Sequence, residues 1–376
     1  MAAPVNSNFY LQQQASVVEE RASKRLKYTF PVWDDQKKST LSSTFLSCVE
    51  KVSCLFEQKQ WAKGFGPYML PYQFARYRIF SQNFNKELLL LKGFDTTLCS
   101  FGSQGLVFRV PSENHKDQTI LKVSRWSHHT YDLCKEVLII KEIYSQVLHR
   151  TKIPIPQPIF DVRTGSQYFF LMKAYKGNAL TYLRDRGRFN IELVRKAAQD
   201  MLAALLLLHD NPNGGIIHCD IKPENILYEH DEEAKFPDFV LADFGLSLLL
   251  EKGHAETETR HTIVTRYYRA PEILFKGRRN CYTVAPSIDI WSLACVLYEF
   301  YTGRILFRSD SEVHAQTLIY PIFNGDPEEN IYFKMECDGV NIPDRQLCRL
   351  LAKMLNFLPS KRPSAKEVLQ DDFFKA

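Results

Sequence analysis

Two short polar strings constrain this chain more than anything else in it. The first is His218-Cys219-Asp220-Ile221-Lys222-Pro223-Glu224-Asn225, and the second, Asp243-Phe244-Gly245, begins 23 residues after Asp220. Taken singly, an aspartate between apolar runs is an ordinary loop residue. Together the strings demand a fold that brings two loops to one place. Their residue types suit one chemistry. Phosphoryl transfer needs a carboxylate beside the attacking hydroxyl, oxygen donors for magnesium and a cation against the phosphate charge. Asp220, Asn225, Asp243 and Lys222 supply that set. Magnesium takes only one or two protein carboxylates beside nucleotide phosphates. An Asp and an Asn from separate loops meet that demand.

Upstream lies a second group. Ser100-Phe101-Gly102-Ser103-Gln104-Gly105-Leu106-Val107 carries glycines ahead of an apolar run. Glycines let a backbone close over phosphates with its N–H groups pointing inward. That turn alone is a weak signal. It gains weight from Ile120-Leu121-Lys122-Val123, with Lys122 lying 15 residues after Val107. One lysine in an otherwise apolar strand has a buried task, and acidic residues in the helical pattern that follows are its candidate partners. Glu136 and Glu142 are the candidates.

Hydrophobic alternation predicts strands at 107–110, 119–123 and 167–173, and helices at 131–148, 190–208 and around 290–301. Strands come first and helices later, so a small sheet-rich lobe precedes a larger helical one. With 45% hydrophobic and 24% charged residues, the 376-residue chain is neither disordered nor fibrous. The nine cysteines are odd in number and hold no CxxC, which predicts reduced thiols in the cytoplasm or nucleus. A net charge of +5 is too small to argue for nucleic acid, and no direct nucleic-acid binding is expected. The apolar stretch Met201–Leu208 is too short to cross a bilayer, and no membrane association is expected. The start of the chain has no secretory signal pattern.

Three regions follow from this. Residues 1–40 are polar and read as a flexible segment; their cluster Lys24-Arg25-Leu26-Lys27 is a candidate nuclear import signal or a solvated charge run. In residues 41–92, Phe45, Val49, Val52 and Phe56 recur at helical spacing among further aromatics, as in a docking or regulatory extension. The chemistry-bearing strings fall within 93–374.

The strings resemble those of the eukaryotic protein kinases. His218–Asn225 is similar to their catalytic loop H-R-D-L-x-x-x-N, and Asp243-Phe244-Gly245 to their D-F-G. Thr265-Arg266-Tyr267-Tyr268-Arg269-Ala270-Pro271-Glu272 resembles the A-P-E end of the activation segment, and Asp289-Ile290-Trp291-Ser292-Leu293-Ala294 the D-x-W-S-x-G helix start, with Ala294 for Gly. The resemblance implies an α+β bilobal fold: a small β-rich lobe with one key helix, and a larger, mostly helical lobe. It implies ATP and Mg²⁺ held between the lobes, and protein substrates with Ser or Thr acceptors. Asp220 would be the catalytic base, with Lys222 beside it. Asn225 and Asp243 would hold the metal. Lys122 would hold the phosphates, steadied by Glu136, whose spacing suits the family better than that of Glu142. Ser100, in place of the first glycine, would line the nucleotide with Gly102, Gly105 and Val107. Met172 and Ala174 would lie by the adenine. Thr265 would sit near Asp220, Glu272 would pair with Arg362, and Asp289 would cap the catalytic-loop backbone.

Lys222 and Thr265 favour the serine/threonine type, and T-R-Y-Y-R-A-P-E resembles the CMGC group, toward its DYRK, HIPK and SR-protein kinase branches. Gly303 and Arg362 lie closer together than the group's usual insert allows. Cys219 stands where kinases switched by phosphorylation carry an Arg that pairs with the activation-segment phosphate. A thiol cannot do this, so activity is expected not to depend strongly on such a phosphate. Thr262 aligns with the tyrosine of DYRK-type kinases, so tyrosine autophosphorylation is unsupported there. The alternative is a pseudokinase, a nucleotide-binding or scaffold module, since fold does not fix function. The complete set Lys122, Glu136, Asp220, Asn225 and Asp243 weighs against it. Nothing in the sequence sets an oligomeric state.

Overall fold

The computed structural model describes residues 97–375, apart from 102–104, 112–117, 125–126, 148–151, 165–166, 232, 260–262 and 275–280. The expectations for residues 1–40, 41–92 and the Lys24–Lys27 cluster lie outside the described residues, as do those for Gly102 and Thr262. Contacts divide the chain into two units. One holds residues up to Leu138 together with Gln157–Ala174, and the other holds Ile139–Pro156 and Tyr175 onward.

The first unit is an antiparallel sheet. Its strands are β1 (Thr97–Phe101), β2 (Gly105–Pro111), β3 (Gln118–Ser124), β4 (Pro158–Thr164) and β5 (Gln167–Lys173), in the order β1-β2-β3-β5-β4. Helix α1 (Ser127–Gln146) follows β3. Leu121, Val123 and Phe170 are buried in the sheet, and Leu133, Cys134, Val137 and Leu138 along the helix. The expected strands and helices are present; 167–173 coincides with β5, and the others are longer or shifted by a few residues. Strand β4 was not anticipated. Its sequence, Pro-Ile-Phe-Asp-Val-Arg-Thr, interrupts the apolar run with Asp161 and Arg163, yet Asp161 is buried.

The second unit opens with β6 (Gly177–Asn178), α2 (Ala179–Arg186) and α3 (Ile191–His209). Asn190 caps α3, its side chain accepting the Leu193 N–H at 2.9 Å. One face of α3 (Val194, Ala197, Ala198, Met201, Leu205, Leu208) is buried at helical spacing. Strands β7 (Ile216–Ile217), β8 (Ile226–Glu229), β9 (Asp238–Leu241) and β10 (Leu248–Leu249) come next; β6-β8-β9 form one small sheet and β7-β10 another. Then follow β11 (Thr257–Thr259), α4 (Pro271–Leu274), β12 (Tyr282–Val284) and α5 (Ser287–Thr302). Helices α6 (Glu312–Ile319), α7 (Pro327–Cys337), α8 (Arg345–Met354) and α9 (Ala365–Leu369) complete it.

Helix α5 is the axis of this unit. Every residue from Ile288 to Phe300 is buried, as expected of a helix that is apolar on all sides. Helices α3 and α8 pack on it. It ends at Gly303, whose φ of 72° suits the left-handed turn there. Among the described residues, no helix is long and apolar enough to cross a membrane.

Candidate active site

Strand pairing assembles the second unit's polar loops. The first loop runs from the end of β7 at Ile217 to the start of β8 at Ile226; the second leaves β9 at Leu241 and enters β10 at Leu248. Strand β7 pairs with β10, and β8 with β9. The β8–β9 register sets Ile226 opposite Leu241, and the Ala242 N–H donates to the Asn225 carbonyl at 2.8 Å. The hairpin therefore carries Asn225 alongside the backbone that leads into Asp243.

Both loops turn through strained backbone. Cys219 and Asp243 have φ of 66° and 69°, a left-handed conformation costing on the order of 1–3 kcal/mol for such residues. At Cys219 the restraint comes from α5. The buried Asp289 carboxylate accepts the N–H of His218 at 2.8 Å and that of Cys219 at 3.0 Å. His209, at the end of α3, approaches the same carboxylate through Nε2 at 2.9 Å. The His218 ring is buried. Its Nδ1 accepts the Asp220 N–H at 3.2 Å, and its Nε2 lies 3.1 Å from the Ala242 carbonyl. One neutral tautomer, protonated on Nε2, satisfies both contacts.

Asp220 sits at the centre. Its Oδ2 accepts from Lys222 Nζ at 2.6 Å and Asn225 Nδ2 at 3.0 Å; its Oδ1 accepts from the Thr265 hydroxyl at 2.9 Å and the Thr265 N–H at 3.2 Å. Lys222 Nζ also donates to Thr265 Oγ1 at 3.2 Å. Burial pushes the Asp220 carboxyl upward. The Lys222 ammonium and the hydrogen bonds from Lys222 and Thr265 outweigh it and hold the group below the usual aspartate value. Asn225 Nδ2 also donates to the Asp220 carbonyl at 2.8 Å. Its amide hydrogens thus face Asp220, and its oxygen is the atom it can offer a cation. Half-buried Asp243 accepts the Gly245 N–H at 3.4 Å. Among the described residues no group of three or more His, Cys, Asp or Glu could hold a metal. Asn225 and Asp243 would offer one amide oxygen and one carboxylate, a set that suits magnesium bound mainly through nucleotide phosphates.

In the first unit, Ser100, Val107, Lys122 and Phe170 stand opposite one another across β1, β2, β3 and β5. Val107, Lys122 and Phe170 share a face, and alternation adds Ile120 and its partner Met172 to it. Val107 is half-buried, Met172 and Ala174 are buried, and Gly105 lies at the start of β2 opposite Ser124. Lys122 Nζ reaches the Glu136 carboxylate of α1 at 2.6 Å. Glu142, the other candidate, instead accepts from Gln146 at 2.8 Å and from Asn213.

Between Asp243 and Glu272, the described residues are anchored at several points. Ser247 donates to the His218 carbonyl at 3.2 Å. Val264 has φ of 64°, and Arg269 Nε donates to its carbonyl at 2.7 Å while Arg269 Nη1 pairs with Glu312 at 2.8 Å. The buried Tyr268 hydroxyl donates to Glu299 at 2.7 Å. Arg362 binds Glu272 through both terminal nitrogens, at 2.6 and 2.7 Å. Its other N–H groups reach the carbonyls of Asn356, Ser287 and Phe357 at 2.8, 3.1 and 3.4 Å, so the whole fork is used. His209, Glu299 and Glu312 were not singled out in the sequence. Each pairs with a residue far along the chain, and no local spacing marks such a pair.

A family model for the protein kinase domain matches residues 99–374. This chain belongs to the protein kinase family. Among its relatives, the serine/threonine-protein kinase MAK of Rattus norvegicus is 28% identical over 292 residues, 73% of this chain and 44% of the relative. Cell division control protein 2 homolog 3 of Trypanosoma brucei brucei is 28% identical over 302 residues, covering 73% of this chain and 88% of the relative. Cyclin-dependent kinase 1 of Encephalitozoon cuniculi is 27% identical over 296 residues, 73% of this chain and 93% of the relative. The kinase thus spans less than half the length of the MAK relative. These relatives agree with the CMGC group; the narrower DYRK, HIPK and SR-protein kinase likeness rests on motifs alone.

Proposed function

We propose that this kinase transfers the γ-phosphoryl group of ATP to serine or threonine hydroxyls of protein substrates. The observation that carries this reading is the buried Asp220 carboxylate, which Asn225 also hydrogen-bonds and which Lys222 and Thr265 hold ionised. In that state it orients an incoming hydroxyl and accepts its proton, while Lys222 offsets charge on the transferred group. Asn225 and Asp243 would hold magnesium, which supplies charge neutralisation for the phosphates. Lys122, steadied by Glu136, positions the α and β phosphates. Val107, Met172 and Ala174, with the glycine-bearing turn Ser100–Gly105, line the nucleotide. Catalysis is then mainly positioning and preorganised electrostatics.

The test is Asp220→Asn in the purified chain, assayed with a degenerate Ser/Thr peptide library. The fold and Mg·ADP binding should persist while turnover falls by a factor on the order of 10³ or more. Unchanged turnover would reject Asp220 as the base, and an inactive wild-type chain that still binds Mg·ADP would mark a pseudokinase. The remaining expectations stand as proposals too. They are a kinase domain at 93–374, a docking or regulatory role for 41–92, a cytoplasmic or nuclear location, and protein partners without nucleic acid or membrane.

A further inference from the structure

The segment between Asp243 and Glu272 is clasped by a second piece of chain. Strand β11 lies inside it and pairs antiparallel with β12, just ahead of α5. The register sets Thr257 opposite Val284, Glu258 opposite Thr283 and Thr259 opposite Tyr282. Burial alternates with this register: Thr259, Tyr282 and Val284 are buried, while Glu258 and Thr283 face solvent. This is the pattern of a strand pair with one face packed on a core. Strand β10 ties the start of the segment to β7, and the bonds of Thr265 to Asp220 and Lys222 tie its end to the first polar loop. At Cys219 the side chain is fully buried and its Sγ lies 3.5 Å from the Ile217 carbonyl. That position therefore presents no cation to a phosphate on the segment.

We propose that the β11–β12 pair is a built-in clasp that holds the activation segment in its substrate-competent form in the unphosphorylated kinase, doing with backbone hydrogen bonds what a phosphate does in switched kinases. The clasp rests on the kinase reading above for its meaning, but its existence can be measured without turnover. The anchor β12 is outside the segment and joins directly to α5, which also carries Asp289 and so braces the Asp220 loop. Segment and loop are thus referred to one buried helix.

Hydrogen exchange on the full chain, after phosphatase treatment verified by mass spectrometry, tests the clasp. The amides of Thr257–Thr259 should exchange slowly and change less than about twofold on phosphorylation. Hydrogen-bonded and non-hydrogen-bonded pairs alternate in such a ladder. Between them, Thr257→Pro and Glu258→Pro must therefore remove a ladder N–H. At least one should speed exchange there tenfold or more and lower kcat/KM for a peptide substrate by a similar factor, with Mg·ADP binding retained. Thr283→Val, exposed and β-branched, should behave as wild type. Fast exchange in the dephosphorylated wild type, or proline variants that both exchange and turn over normally, would overturn the clasp. Slow exchange in a wild-type chain that transfers no phosphate would leave the clasp standing and refute the kinase reading instead.

Discussion

At the residue scale the site is a contest over one carboxylate. Burial favours protonated Asp220, and Lys222 with Thr265 favours the ion and wins. Removing the lysine should reverse the outcome. In Lys222→Ala, kcat should fall by roughly tenfold or more, and the acid limb of its pH profile should move to higher pH, because burial then dominates the Asp220 pKa. Assays from acid to neutral pH check this; an acid limb in the same place would remove Lys222 as the controlling charge. The residues of this contest were legible in the sequence because they lie close together along the chain or end a recognisable string. Lys122 was legible too, as the one charge in an apolar strand. The partner that braces Asp289 was not. His209 ends an amphipathic helix and reads as a polar cap until the fold brings α5 against it.

Elements carry the stability predictions. The fork of Arg362 joins the end of the segment at Glu272 to carbonyls at Ser287, Asn356 and Phe357. Arg362→Ala leaves a largely buried carboxylate unpaired and should cost about 3–5 kcal/mol in urea unfolding. Arg362→Lys should recover only part of this, since an ammonium cannot reproduce the five-donor plane. Helix α5 holds the second case. Burial raises the Glu299 carboxyl to about 7, against the smaller opposing effect of the Tyr268 hydroxyl. Its folded pKa lies above its unfolded value, so its stabilisation is fully present below the unfolded pKa. That stabilisation is lost as pH rises through about 7. Glu299→Gln keeps an acceptor for Tyr268 and should flatten the fall in stability between acid and pH 8, a difference of about 3 kcal/mol at most. Equal pH slopes for the two proteins would refute the assignment. Long apolar elements were readable from sequence, since α3 and α5 carry their burial in their own composition. Strands β4, β11 and β12 were not. Asp161 and Arg163 break the alternation of the first, and the other two are three residues each, with Glu258 and Thr283 on the open face.

For the whole molecule, the family match ends close to the last described helix and starts at residue 99. If residues 93–374 are the folding unit, a chain cut to 93–376 should unfold in one transition with a midpoint within a few degrees of the full chain. It should also phosphorylate a generic peptide at a similar rate. A drop of more than about 10 °C would assign residues 1–92 a structural part in the domain. Architecture was legible at this scale because two strings fix the polar loops and the strand-then-helix order fixes the two units. The departure at Cys219 has a consequence of another kind. Its thiol is fully buried within the loop that carries Asp220, whereas Cys337 is exposed. Reagents that alkylate thiols will therefore mark the outer surface of this kinase and pass over the cysteine nearest its chemistry. Among the described cysteines, a cysteine-directed inhibitor would find no foothold beside Asp220.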